Sequence, residues 1–324
     1  MNPDAKPAKS ESAAAAAVDS FERCRSLLFG IAYRMLGEVA EAEDMVQETF
    51  LRWQRAQDQE KDVKSAKAYL TTIITRLCID HLGTARHQRE QYVGVWLPEP
   101  LVARDDNDPA KAAQLAESVT NAFLLILETL SPVERAVFLL REVFSYEYGE
   151  VSLAVGKSEA NCRKMVSRAR ERLATRRPRA QIDPTRARRL VQEFQSALEE
   201  GNAEGLLNLL SEDAAIYADG GGKVPATIKP LLGADTVAKF FITVYRNAPA
   251  GAQILMRFVP INAEPGVLVF ISGKLEQAMT FEISEDRIRA IYVVRNPDKL
   301  RHLSAFAAEF DGTSPAKRGA TPAN

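Results

Sequence analysis

The hydrophobic period of this chain changes once, in the unit that starts at Asp183-Pro184, after that unit's first helix stops at Gly201-Asn202. Before that point apolar residues recur every three or four positions, the period of an amphipathic helix. After it they come in short runs separated by turn residues, the mark of strands. A chain patterned this way folds as helical units followed by an α+β unit. Its 324 residues suit two or three domains on the usual scale of roughly 100–200 residues each.

In the helical part, Phe21, Leu28, Ile31, Ala32, Met35 and Leu36 form one apolar stripe that Gly37 ends. Ala42, Val46, Thr49, Phe50 and Trp53 form a second. The run from Tyr69 to Leu82 is rich in β-branched residues, which favour strand, but Leu70, Ile73, Ile74 and Leu77 keep helical spacing. Residues 91–114 read as a linker, broken by Pro98, Pro100, Pro109 and the turn cluster Asp105–Asp108. Helix resumes to residue 174. Ser131-Pro132 with Glu134 predicts a capped start, Gly156 a stop, and Ser158 a new cap. Residues 1–17 and the tail beyond Ala308 are expected to be disordered.

The last unit starts with a helix over Thr185–Glu200, stopped by Gly201-Asn202. Strands are predicted at Ala214–Ala218, Ile254–Pro260, Gly266–Ile271, Gln277–Ile283 and Ile288–Arg295, with a hairpin turn at Ser284-Glu285-Asp286-Arg287.

Net charge is −1, but the charge is unevenly placed. Residues 157–189 hold twelve Lys and Arg, from Lys157 to Arg189, against Glu159, Glu171 and Asp183. Residues 38–48 hold Glu38, Glu41, Glu43, Asp44 and Glu48 with no basic residue. Opposite local signs point to two partners: phosphate for the first and a basic protein surface for the second. Cys24, Cys78 and Cys162 are isolated, which fits a reducing cytosol and gives no zinc or disulfide framework. His81, His87 and His302 show no metal-ligand spacing. No cofactor motif is present, no catalytic set is recognisable, and no apolar run approaches the ~20 residues of a membrane span.

From Ser158 to Leu173, Cys162, Met165, Val166, Ala169 and Leu173 share one helical face. Asn161, Arg163, Lys164, Ser167, Arg168, Arg170 and Arg172 occupy the other. An apolar spine under a basic, hydroxyl-bearing face suits a recognition helix in a major groove, where Arg and Lys reach guanine edges or phosphates. The preceding helix and the Gly156-Lys157 turn complete a helix-turn-helix.

These motifs resemble those of extracytoplasmic-function RNA polymerase sigma factors. The blocks are Ala42–Phe50, Ala68-Tyr69-Leu70-Thr71-Thr72 and Ser158–Arg163. Residues 18–90 resemble the family's region 2 and residues 115–178 its region 4. The resemblance implies two all-α domains and a cytoplasmic protein that binds core RNA polymerase and promoter DNA. It places core-polymerase contacts on Asp44, Gln47, Glu48 and Trp53. It places −10 contacts on Lys67, Tyr69, Arg76, Asp80 and Arg86, and −35 contacts on Arg163, Lys164, Ser167 and Arg168. His81 and Gly83 stand where the family usually carries Arg, so a less basic −10 surface is expected.

Three further motifs resemble the subgroup that carries a SnoaL-like, cone-shaped α+β domain, here residues 183–308. They are Tyr92-Val93-Gly94-Val95-Trp96-Leu97-Pro98-Glu99-Pro100, with Val95 where the subgroup is expected to carry Pro, Asp219-Gly220-Gly221-Gly222-Lys223 and Asn296-Pro297-Asp298-Lys299-Leu300. The subgroup implies regulation in cis, without a separate anti-sigma protein. The expectation is that residues 96–100 dock on residues 219–223 and 296–300. Two other readings stay open: a helix-turn-helix regulator with a small-molecule-binding domain, and an enzymatic domain. The acidic helix at 42–53 weighs against the first, and the absence of a recognisable acid/base pair weighs against the second.

Overall fold

The computed structural model describes residues 7–59, 63–90, 92–102, 120–174, 183–247, 251–262 and 264–304. Expectations for residues 103–119 and for the tail beyond Ala308 lie outside the described residues. The chain divides into two compact units. The first holds residues up to 88 and from 123 to 174; the second holds 92–102, 120–122 and 183–304.

In the first unit, helices α1 (Pro7–Leu36), α2 (Val39–Asp58) and α3 (Ala66–Glu90) come first. The predicted stripe of α1 is fully buried, from Phe21 to Leu36. The run that tempts a strand assignment is helix α3, with Leu70, Ile74 and Leu77 buried. Each such side chain gains about 1.5–3 kcal/mol on burial, more than the few tenths that β-branching costs a helix. Of the tail expected over residues 1–17, residues 7–17 belong to α1, which begins at Pro7 and takes in the alanine run; residues 1–6 lie outside the described residues. Alanine is the best helix former, and Ala17 is buried and accepts a hydrogen bond from Trp53 Nε1 at 2.9 Å.

Helices α4 (Asn121–Leu127), α5 (Pro132–Phe138), α6 (Tyr148–Val155) and α7 (Glu159–Ala174) follow, with a π-helical turn at Leu139–Val143. The Ser131 cap forms as predicted: its hydroxyl accepts from Glu134 N, and the Glu134 carboxylate accepts from Ser131 N. Gly156 closes α6 at φ 65°, and the Ser158 hydroxyl accepts from Asn161 N at 3.3 Å. Helices α6 and α7 are the helix-turn-helix. Arg135 on α5 is buried and donates to Met35 O at 2.5 Å and to Glu128 at 2.7 Å, fastening the end of α1 to this domain.

The second unit is α+β. Helices α8 (Pro184–Glu199) and α9 (Ala203–Leu209) precede β1 (Leu210–Asp219) and the short β2 (Leu231–Leu232). Helix α10 (Ala234–Arg246) leads to β3 (Ile254–Ile261), β4 (Glu264–Ile271), β5 (Lys274–Ser284) and β6 (Arg287–Val294). A one-turn helix, α11 (Pro297–Leu300), follows. The sheet order is β2-β1-β6-β5-β4-β3, antiparallel except for the parallel β1–β6 pair. Asp183 caps α8 through Arg186 N. Glu285 and Asp286 take positive φ in the predicted hairpin turn, whose flanks Ser284 and Arg287 pair. Phe194 of α8, Phe241 of α10 and Phe281 of β5 meet edge to face, joining the helices to the sheet in one core. The parallel pairing ends with Asp219 beside Val294, which brings the glycine run after β1 next to the Asn296–Leu300 segment after β6.

Candidate functional site

On α2 the core face and the acidic face separate as helical geometry requires. Ala42, Val46, Thr49 and Trp53 are buried, while Asp44 and Gln47 are exposed and Glu48 pairs with Arg52 at 2.8 Å. Trp53 therefore departs from the expected polymerase-docking set. Its indole is 4% exposed, hydrogen bonded to Ala17 and tilted against Tyr69 with ring centres 5.8 Å apart. Of the expected set, Asp44 and Gln47 are exposed and Glu48 is half-buried.

Beside it, Arg52, Arg55, Tyr69 and Arg76 line a cavity of about 390 Å³ between α2 and α3. One aromatic face among three guanidinium groups is the composition that holds an unstacked base. Arg52 and Arg55 did not come from the motif; on sequence they look like ordinary surface charges of α2. Arg76 is already engaged, donating to Ala154 O at 3.0 Å and Leu153 O at 2.8 Å at the end of α6. Lys67 lies over the Tyr146 ring at 5.4 Å, and Thr71 bonds the Tyr146 hydroxyl at 2.8 Å. Region 4 atoms thus occupy part of the predicted −10 set. Asp80 is exposed, and the side chain of Arg86 lies outside the described residues.

On α7, Cys162, Val166 and Ala169 are buried, and Arg163, Lys164, Ser167 and Arg168 are exposed along the opposite face. Arg163 is steadied by Glu159 at 2.8 Å and by the Tyr148 ring at 4.7 Å. Arg168 and Arg172 lean toward Glu134 at 3.7 and 3.5 Å. Partial burial works against the Glu134 charge. The Ser131 hydrogen bonds and these two cations outweigh it and hold the carboxyl below its ordinary range.

The three subgroup motifs come together in the second unit around one buried carboxylate. Asp219 is fully enclosed and accepts from Leu97 N at 2.9 Å, Gly221 N at 2.9 Å, Tyr92 OH at 2.5 Å and Lys299 Nζ at 2.9 Å. Lys299, itself 4% exposed, also donates to Leu97 O at 2.5 Å and sits over the Trp96 ring at 4.3 Å. A buried charge is tolerated when opposite charge and hydrogen bonds surround it, and here half of those come from the linker. Pro98 and Pro100 are buried beside Glu99, and the Pro100 carbonyl meets His302 Nε2 at 2.9 Å. Lys223 pairs with Asp298 across the two motifs, while Asn296 caps α11 through Asp298 N with Pro297 at its first turn and Leu300 buried behind. The glycine run permits this closeness. A Cβ at Gly220 would overlap the Val224 carbonyl, and one at Gly221, φ 59°, would overlap the Asn296 amide. Gly222 packs against Val93.

A second grip went unread in the sequence. Leu101 N donates to Asn262 Oδ1 at 2.8 Å, Asn262 N returns a bond to Leu101 O at 3.0 Å, and Val102 bridges Ile261. Asn262 Nδ2 then donates to Asn121 Oδ1 at 3.0 Å. Asn121, the first residue of α4, donates its backbone N to buried Glu264 at 2.9 Å and its side chain to Thr280 at 2.6 Å. Residues on both sides of segment 103–119 are therefore fastened to the neighbouring strands β3, β4 and β5 of one sheet. The available signal was polar residues at the ends of otherwise apolar strands, which read equally well as ordinary turn residues.

Burial pushes the Glu264 carboxyl up to about 8; the Asn121 hydrogen bonds oppose this and the nearby Glu282 charge adds to it. The folded state therefore prefers the protonated form. Its contribution is fully present below the ordinary carboxyl range and is lost as pH rises toward about 8. Glu264→Gln is expected to flatten that loss, whose slope approaches about 1.4 kcal/mol per pH unit. Urea unfolding of both proteins between pH 5 and pH 9 (roughly the span over which a carboxyl shifted this way titrates) measures it. Parallel pH profiles would contradict the assignment.

The family model for sigma-70 region 2 matches residues 20–88, and that for sigma-70 region 4 matches residues 120–173. The chain is 33% identical over 291 residues to the ECF RNA polymerase sigma factor SigJ of Mycobacterium tuberculosis, covering 87% of this chain and 92% of that one. It is 31% identical over 283 residues to the probable ECF sigma factor SigI of the same organism, covering 87% and 93%. The crystal structure of SigJ superposes with a TM-score of 0.71 at 30% identity, over 88% of this chain and 98% of that one. Among the described residues no helix is long and apolar enough to cross a membrane.

Proposed function

We propose that this chain, which belongs to the extracytoplasmic-function RNA polymerase sigma factors, is controlled in cis by the grip of its SnoaL-like domain on its own linker. Sigma factors bind core polymerase and direct it to promoters. In this chain Asp44, Gln47 and Glu48 are the polymerase contacts. Tyr69, with Arg52, Arg55 and Arg76, takes the −10 strand, assisted by Lys67, Asp80 and Arg86. Arg163, Lys164, Ser167 and Arg168 read the −35 duplex.

The observation that carries the regulatory reading is the buried Asp219, which is satisfied by Leu97 N, Tyr92 OH and Lys299 together. The linker joins the two DNA-reading regions, so holding it sets how far they separate. Lys67 and Arg76 must also leave Tyr146 and the α6 carbonyls before they meet DNA. In this reading the domain acts in cis where a separate anti-sigma protein would otherwise act, has no catalytic part, and works in the cytoplasm.

Promoter-directed transcription with core polymerase tests it. Trp96→Ala and Asp219→Ala in the full chain should each change output at least severalfold; wild-type output from both would sink the regulatory reading.

A further inference from the structure

The curved sheet and helices α8 and α10 enclose a cavity of about 490 Å³, within the range of small-molecule sites. Its wall is mostly apolar, with Phe194, Phe241, Met256, Val269 and Met279 among the contributors. Two residues of this wall, Arg295 and Thr227, are half-buried and each carries a polar atom that the fold leaves unmatched. Arg295 Nε and Thr227 Oγ1 are both buried and neither has a hydrogen-bond partner. Arg295 commits Nη1 to the Pro225 carbonyl at 2.6 Å, which orients the guanidinium and leaves the Nε edge uncommitted. Among the described residues no carboxylate pairs with Arg295. The acidic group on the wall, Glu276, is paired with Lys274 at 2.8 Å.

Buried donors left unmatched are costly, and a guanidinium edge in an apolar chamber selects a planar anion. We propose that the cavity binds an apolar monocarboxylate, with Arg295 Nε and Thr227 Oγ1 holding the carboxylate and the apolar body lying between α8, α10 and the sheet. The neutralised Glu276 leaves a net positive anchor, which favours an acid over the corresponding alcohol.

The site shares backbone with the linker grip. Arg295 N and Asn296 N both donate to Asp219 O, at 2.7 and 2.9 Å, and Ala218 on the cavity wall directly precedes Asp219. Pro225 and Thr227 lie just beyond the glycine run. A carboxylate on Arg295 is therefore coupled to how firmly Asp219 holds Leu97, and by linkage the linker's state changes ligand affinity in return. This coupling rests on the regulatory reading; the binding site does not.

Calorimetry with the full chain separates the two. The probe is decanoate, and 1-decanol is its neutral counterpart. Decanoate should bind saturably and at least about tenfold more tightly than decanol, the order expected of one charge-assisted pair. Arg295→Gln and Thr227→Val should each reduce that preference while decanol binding persists, which shows that the cavity is still formed. Filling the cavity with Met279→Trp should abolish binding of both probes. Equal affinity for acid and alcohol, an unchanged preference in Arg295→Gln, or no saturable binding would overturn the site. Trp96 emission in a Trp53→Phe background should shift on decanoate binding. Binding without that shift would overturn the coupling alone.

Discussion

Asp219→Asn should free the linker from the SnoaL-like domain. The substitution keeps volume and shape but removes the charge opposite Lys299, and both residues are buried, at 0% and 4% exposure. Breaking a buried pair by removing one partner costs about 3–5 kcal/mol, because the remaining charge is stranded. Leu97 N and Tyr92 OH also lose part of the acceptor they share. The second unit need not unfold to relieve this; releasing residues 92–102 lets water reach Lys299. Limited proteolysis should then cut near Trp96 at least about a hundredfold faster, the factor that about 3 kcal/mol implies when opening precedes cleavage. The chain has two tryptophans, so Trp53→Phe isolates the emission of Trp96, which now stacks on the Lys299 ammonium. Adding Lys299→Met should recover part of the stability, since no charge is then stranded. Equal losses in the single and double variants would mean that the pair is not the source of the grip.

The second large effect is expected at the recognition helix. Replacing Arg163, Lys164 and Arg168 by Ala removes three exposed cations from one face of α7 and touches none of its buried spine. Contacts of this kind contribute about 1–3 kcal/mol each when they read bases, and phosphate contacts set the salt dependence. Binding to a −35 duplex should weaken roughly a thousandfold, and the slope of log affinity against log salt should fall by about 2–3. Arg163 is held partly by Glu159 and Tyr148, so its share should be the smallest. Anisotropy titrations at several salt concentrations, with circular dichroism as a check on helicity, make the measurement. Affinity within about twofold of wild type (a change of ~0.4 kcal/mol) would remove α7 from the −35 contact.

Local chemistry made much of the fold legible. Ser131-Pro132 with Glu134, Gly156, Asp183-Pro184 and the Ser284–Arg287 turn each carry their reason within four residues, and each formed where predicted. Helices α9 and α10 and strand β2 were not read. The spacing of Val237, Ala238, Phe241 and Ile242 is helical, but it is short and sits between strands, where periodicity alone is ambiguous. The alanine run Ala13–Ala17 falls in the segment expected to be a disordered tail. Ala17 accepts a hydrogen bond from the distant Trp53, a contact that no local rule shows.

The functional surfaces divide in the same way. The basic face of α7 follows from helical spacing, whereas the residues named on the acidic face of α2 are those the family resemblance implies. Burial of Trp53 depends on α1 packing over α2, and amphipathic position alone left its side undecided. Asn121, the pair Asn262 and Glu264, and Thr280 come from three separate parts of the sequence and meet only because β3, β4 and β5 are neighbours. Arg295 and Thr227, also distant in sequence, both line the cavity. Motifs gave the contact partners of Asp219, but the role of Tyr92 emerged only with the geometry.

The most direct test is in vitro transcription with bacterial core polymerase, comparing the full chain with a chain ending at Gln181. The account predicts core-dependent initiation at a defined promoter and a severalfold difference in output between the two, because the shorter chain lacks Asp219 and Lys299 to hold its linker. Equal output from both would contradict control by the C-terminal domain, and no core-dependent initiation from either would contradict the sigma-factor account itself.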